Sequence, residues 1–555
     1  MQFNSYQFLF VFVPLLLAGF YVATRLRGPS AARAWLLLAS IAFYAYANLL
    51  SLVILLPAIL IYFAIAKAIV RTDESNTRAR TAWFILGVAL NIAFLGYFKY
   101  RNFFLDSANQ LFGAQFALLP LILPLGISFI TFQMIAFLAD VQSGQVKSFS
   151  LFEFLLFALF FPRAVAGPIV HWEEVMPGLT GEAPRWRNSN LAVGIALFSI
   201  GLFKKAVIAD GVAVWVTPAF AAQPPGSTLT LIPAWVGALA YTFQLYFDFS
   251  GYTDMALGLA RLFGVRLPMN FNSPLKSSSI VEFWSRWHIT LTRFLTAYLY
   301  TPMVMGWTRR RMQLNRPVLR GKRSTLSAFL ALTAVPTLIT MGISGFWHGA
   351  GTQFIVWGLL HGLMLTINQA WRTWRPRFWP DQESYHRVMR PAGFLLTFFG
   401  IATTFVFFRA RSIDSAVSIL GSMFGAHGVT IPHAIGDRLG AFGLWLQGLG
   451  VAYDWSSGSG FFIEIAWVVV LFVASTRLPN SLELTRRYEP ALDFEPPAET
   501  EPTTAAAPAS PRRARRTWIP REIALNGAGA AWLAFLFIAG VLALSRGGGF
   551  LYWKF

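Results

Sequence analysis

The chain has 555 residues, 56% of them hydrophobic and 13% charged, about half the charge of an average soluble domain. Its 16% aromatics suit lipid contact and interfacial belts, and its formal charge of +20 sits in short clusters between apolar runs, as for loops that meet anionic lipid. No zinc-finger or RNA-binding signature accompanies that charge, which excludes nucleic acid, and a count of zero cysteines excludes disulfides, thiolate metal sites and a cysteine nucleophile.

A membrane span needs about 20 apolar residues. The first run follows Met1-Gln2-Phe3-Asn4 with neither a basic leader nor a small-residue cleavage site, so an uncleaved span is expected. In chain order, spans are expected near 6–24, 35–48, 50–70, 82–98, 117–139, 191–217, 229–249, 325–345, 352–370, 393–408, 461–476 and 523–545. Segments near 151–169, 252–264 and 283–305 are apolar but short or interrupted, as for re-entrant helices buried in protein. The expected fold is all-α, a polytopic transmembrane bundle of about 11–14 helices. Its core covers 1–476, a disordered cytoplasmic linker 477–521, and a final transmembrane helix with an external aromatic tail 522–555. Arg and Lys cluster after the first and third spans, in 307–323 and around 372–390, whereas 412–460 is nearly free of them. The positive-inside rule then places those basic loops in the cytoplasm and both termini outside.

Ionisable groups inside spans are costly, so each is a functional candidate. Of seven histidines, His171, His386, His427 and His433 fall in loops, where a solvated surface role is expected. His348 lies in Gly345-Phe346-Trp347-His348-Gly349-Ala350-Gly351, nearer the external side. His288 lies in Phe283-Trp284-Ser285-Arg286-Trp287-His288, just before the basic loop and so nearer the cytoplasm. Two imidazoles near opposite ends of a protein-lined path suit general-base chemistry across a membrane, because neutral histidine is a base near pH 7. Interhelical hydrogen bonding is the alternative for each, and a structural role is expected for His361. Asp248 and Asp254 need cationic partners, for which Arg286 and Arg293 are available, while Lys204 and Lys205 suit snorkelling. Glu282 and Arg286 are spaced to pair on one helical turn. There is no metal-ligand cluster, phosphate-binding loop or Gly-x-Ser-x-Gly elbow.

Several segments resemble the bacterial membrane-bound O-acyltransferases. They include Leu123-Pro124-Leu125-Gly126-Ile127-Ser128-Phe129, Ala166-Gly167-Pro168-Ile169, Gly201-Leu202-Phe203-Lys204-Lys205, Tyr246-Phe247-Asp248-Phe249-Ser250-Gly251-Tyr252 and Asn270-Phe271-Asn272-Ser273-Pro274. The two histidine motifs, continued through Ile289-Thr290-Leu291, complete the set, whose order and spacing also match over about 1–480 and the final span. The alginate O-acetyltransferases are the nearest subfamily by this likeness, with teichoic-acid D-alanyl transferases as relatives. The resemblance implies a bundle enclosing a central tunnel, with His348 as catalytic base and His288 as a second histidine facing the donor entrance. Trp347, Asp248, Arg286, Trp287 and Asn272 are then candidates for lining the tunnel or binding substrate. It implies no bound cofactor or metal; an acyl donor such as acetyl-CoA or an acyl carrier is substrate. The implied partners are the bilayer of the bacterial inner membrane, an exported polysaccharide and a periplasmic acetyltransferase. The tail Phe550-Leu551-Tyr552-x-x-Phe555 resembles a terminus whose tyrosine carries the acyl group in related systems, although an aromatic tail also serves as an interfacial anchor. Acyl transfer of D-alanine or to peptidoglycan is the alternative within the class. A proton-coupled secondary transporter is the alternative outside it, although no internal repeat supports that reading.

Overall fold

Long apolar runs satisfy their backbone within a membrane only as helices or closed barrels, and the computed structural model is helical almost throughout. The structure describes residues 2–181, 188–221, 229–454, 458–492, 494 and 522–551. Among them, eight helices are long and apolar enough to cross a membrane. They are Phe8–Arg27, Pro29–Ala47, Leu49–Arg71, Thr77–Phe112, Asn188–Phe220, Leu326–His348, Gln382–Arg409 and Gly460–Arg477. Shorter apolar helices cover Ile127–Gln142, Ile413–Met423 and Gly527–Ala543. The protein is therefore a multi-pass membrane protein. The one sheet among the described residues is a parallel pair, Val429–Pro432 beside Val451–Asp454, with Val429 opposite Val451.

Three segments differ from expectation, each for a local reason. Residues 113–126 are not helical: Gly113 takes φ 64°, Pro120 and Pro124 follow, and the helix starts only at Ile127. The expected span 229–249 and the interrupted segment 252–264 are instead one 32-residue helix, Leu231–Leu262. Gly251 does not break it, because the glycine is there for approach. Gly194 faces Gly258 and Gly201 faces Gly251 in an antiparallel seam, where an added Cβ would lie 2.5 to 2.9 Å from the opposing carbonyl oxygen. Small residues at interhelical contacts allow such backbone approach. Finally, 478–492, the first part of the stretch expected as a linker, packs on the core. Asn480 caps the helix Ser481–Leu484 and donates to Ser273 Oγ at 2.9 Å, and Ser481 donates to Asp254 at 2.7 Å. Residues 495–521 lie outside the described residues.

A helical hairpin brings the two histidine motifs together. One arm, 289–313, begins at His288 and runs to the basic loop; the other, Leu326–His348, returns from it. The arms pack against each other and have nearly equal length, so their far ends meet.

Candidate functional site

The helix Ile280–Arg286 stops at Trp287, and His288 then takes φ 45°, a left-handed conformation uncommon for a residue with a side chain. Such strain persists where surrounding bonds over-determine it. Here residues 270–272 do so: Asn272 N–H donates to Arg286 O at 2.9 Å and Ile289 N–H donates to Asn270 O at 3.0 Å. Asn270 also fixes the imidazole. Its Oδ1 accepts from the Thr290 N–H at 3.2 Å and from the Thr290 hydroxyl at 2.9 Å, so it accepts from His288 Nδ1 at 3.2 Å as well. The Thr290 hydroxyl is held in that sense because its oxygen accepts the Ile169 N–H at 3.1 Å. With the proton on Nδ1, Nε2 of His288 keeps a basic lone pair. It is buried and has no hydrogen-bond partner among the described residues.

His348 closes the returning arm, buried to 3% exposure. Carbonyls at a helix C-terminus lack intrahelical donors and attract cations. Lys99 supplies both needs, donating to Trp347 O at 2.6 Å and His348 O at 3.3 Å, while Tyr100 donates its hydroxyl to Phe346 O at 3.0 Å. The His348 ring meets Trp357 and Phe408 edge-on, each 5.2 Å away between centroids. On its open side lies a cavity of about 210 Å³, lined by His348, Trp347, Lys99, Ser128, Phe129 and Val165 among others.

The two imidazoles are not at opposite ends of a path. Trp347 lies between them, 6.3 Å from His288 and 4.8 Å from His348. The reason is the equal-armed hairpin, which returns the chain to the level it left. His361 stands behind His348 across Trp357, with both nitrogens occupied. Trp284 Nε1 donates to Nδ1 at 3.2 Å, leaving Nε2–H to donate to Thr404 at 2.9 Å, whose hydroxyl donates to Ile401 O. Both nitrogens are thus used within the protein, the arrangement that suits the structural role expected for it.

Among the other predicted residues, Trp347 stacks on Phe132 at 4.8 Å and Trp287 packs on Phe271 at 5.1 Å, both within the aromatic wall around the histidines. Arg286 and Asn272 hold the loop rather than the cavity. Arg286 pairs with Glu282 at 3.0 Å and donates to Asn272 O, and Asn272 Oδ1 accepts from Asn480 at 3.1 Å. The acids take other cations than those expected. Asp248 pairs with Lys205 at 2.7 Å and Asp254 with Lys204 at 2.7 Å, while Arg293 pairs with Glu174. The lysines turn inward because the glycine seam brings the helix 188–220 against 231–262 at that level, so they do not snorkel. His171 is half-buried beside Asp140 at 2.9 Å, not merely solvated. Tyr552 lies outside the described residues, but Phe550 and Leu551 before it are buried. Sequence reasoning passed over Lys99, Tyr100 and Asn270; a lysine ending an apolar run at Tyr97-Phe98-Lys99-Tyr100 and the asparagine opening the Asn-Phe-Asn motif were the available signals.

Residues 40–316, which include His288 but end before His348, match the sequence model of the MBOAT, membrane-bound O-acyltransferase family. The probable alginate O-acetylase of Pseudomonas aeruginosa is 34% identical over 100% of both chains. The chain belongs to the membrane-bound O-acyltransferase family. The peptidoglycan O-acetyltransferase of Helicobacter pylori is 39% identical over 78% of this chain and 81% of its own. The teichoic acid D-alanyltransferase of Streptococcus thermophilus is 32% identical over 44% of this chain and 57% of its own. The buried histidines thus belong to an O-acyltransferase, and the wall around them is that of a membrane-embedded enzyme.

Proposed function

We propose that this acyltransferase moves an acetyl group from a cytoplasmic thioester, acetyl-CoA or an acyl carrier, across the bacterial inner membrane to hydroxyls of an exported polysaccharide. His348 is the base. The observation that carries this reading is its position at the cavity, with its helix end held by Lys99 and Tyr100. As the acceptor oxygen bonds to the thioester carbonyl carbon, His348 takes the hydroxyl proton; the C–S bond breaks and the proton passes to the departing thiolate. His288, whose buried Nε2 lone pair is free beside Trp347, serves the donor side. Acetyl is favoured over D-alanyl because the relatives named for acetyl transfer match most or all of the chain, whereas the D-alanyltransferase matches 44% of it. A periplasmic acetyltransferase is the partner that completes delivery, and acetyl analysis of surface polymers in a deletion strain identifies the acceptor.

Tyr552 is the first acceptor in this scheme. Its phenol oxygen takes the acetyl from the thioester, forming an ester, and a second transfer passes it outward. Support comes from the buried tail: Phe550 lies 5.9 Å from Phe249, whose ring meets His288 at 4.8 Å. Tyr552→Phe keeps the ring and removes the nucleophile. We expect polymer acetylation to stop while protein level and insertion stay normal, and mass mapping of acceptor-starved enzyme to find acetyl on the C-terminal peptide. An active Tyr552→Phe enzyme with an unlabelled peptide would leave only direct transfer through His348.

A further inference from the structure

Residues 549–551 are gripped inside the bundle by a buried ion network. The final helix Gly527–Ala543 passes through a turn, Leu544–Arg546, into Gly547-Gly548-Gly549. Gly547 takes φ 69°, the left-handed conformation glycine adopts without strain, and the chain turns inward. Gly548 presses on Asp210, where an added Cβ would lie 2.1 Å from the carboxylate.

Lys205 sits in a π-helical turn, Phe203–Ala209, with 2% of its side chain exposed. An ammonium has three hydrogens. Lys205 donates to Asp210 at 2.6 Å and to the Gly549 carbonyl at 3.1 Å, and its ammonium forms an ion pair with Asp248 at 2.7 Å. The second oxygen of Asp248 accepts the Leu551 N–H at 3.1 Å. One ion pair therefore holds the tail at two alternate residues, as an extended chain presents them. Between these points Phe550 stacks on Tyr252 at 4.4 Å, and Phe3 stacks on Tyr252 at 4.9 Å. Asn4 donates to Gly548 O at 3.2 Å, so the segment before the first helix meets the one after the last over the same helix. Asp248 is near the middle of that 32-residue helix, which puts Leu551 deep in the protein rather than at its rim. A charged network in an apolar core is costly and persists where its geometry and hydrogen bonds are complete. Without the tail, Lys205 would lose the Gly549 carbonyl as acceptor and Asp248 the Leu551 N–H as donor.

We propose that Lys205 and Asp248 are positioning residues that clamp 549–551 in the core and so hold Phe550 against the aromatic wall shared with His288. The catalytic consequence rests on the tail-relay reading above; the clamp itself does not.

The experiment is carboxypeptidase digestion of the full-length enzyme in detergent, read by intact mass, beside transfer kinetics. Lys205→Met removes the charge at similar length. Asp248→Asn keeps the shape of the side chain, removes the charge that Lys205 pairs with, and serves if Lys205→Met does not fold. We expect the wild-type enzyme to resist trimming at Leu551 and both variants to be trimmed into 547–551 at least tenfold faster. The kcat for transfer should fall about as far, with the KM for the thioester unchanged. Trimming no faster than wild type in a folded variant overturns the clamp, even if Tyr552→Phe is inactive. Faster trimming with normal kcat overturns the positioning role, and an active Tyr552→Phe enzyme would then locate the failure in the relay.

Discussion

His288 and His361 are both wholly buried, both surrounded by tryptophan and phenylalanine, and differ in a single nitrogen. At His361 the donor Trp284 and the acceptor Thr404 close the ring on both sides. At His288 Asn270 closes one side, and the other lone pair has no partner among the described residues. Burial therefore does not separate a structural histidine from a chemical one. Their hydrogen bonds do set them apart: His361 is closed on both sides, whereas His288 keeps Nε2 available for the role proposed for it.

The sharpest way to break that contrast is at His348. His348→Ala should lower transfer by about 10²–10⁴-fold, the usual contribution of a positioned base, in a protein that still inserts and accumulates. Normal polymer acetylation by the abundant variant would remove it from the chemistry. Next is the His288 side. His288→Ala should lose most activity, and Asn270→Ala should lose less, since it frees the imidazole to change tautomer while leaving the base in place. A pH–rate profile that is unaltered in Asn270→Ala would show that the tautomer does not matter.

The His361 pair should behave in the opposite way. Thr404→Val strands the Nε2–H of His361 in the core, for a stability loss of about 1–3 kcal/mol by denaturant unfolding, with transfer per folded enzyme unchanged. Lost activity without lost stability would place His361 with His288 instead.

The smallest effect belongs to His171, at the start of the short helix Trp172–Thr180. The hydrogen bond it donates to Asp140, against the opposing effect of burial, raises its pKa from the usual 6.5, with Glu174 adding to the rise and Arg293 opposing it. A raised pKa means that the charged form is stabilised by folding. The contribution is complete below pH 6.5 and fades as pH rises through the folded-state value. His171→Ala should therefore cost stability in acid and little in alkali; an equal cost at both extremes would show that packing, not charge, holds the loop.

Much of this was legible in the chain. Hydropathy alone gives the membrane class, and the motifs at Phe283–Leu291 and Phe346–Gly351 single out His288 and His348 among seven histidines. What the motifs do not carry is depth. A histidine before a basic loop and one after it read as two sides of a membrane, and only the matched lengths of the intervening helices show them to be neighbours. Lys204 and Lys205 were obscure for a related reason. A lysine in an apolar run fits snorkelling and inward pairing equally well, and the deciding feature, the glycines at 194, 201, 251 and 258, acts through the register of two helices. The buried tail was the least legible, because Phe550 and Leu551 suit a lipid interface as well as a core.

The hairpin from His288 to His348 also works as a gauge. A helix rises about 1.5 Å per residue, so four residues added to one arm would slide one imidazole past the other by about 6 Å, more than the spacing across the indole between them allows. The same addition to both arms would preserve the match. Natural variation should therefore gather in the turn at 314–325, where chain length sets nothing, while any lengthening of one arm survives only with a compensating change in its mate.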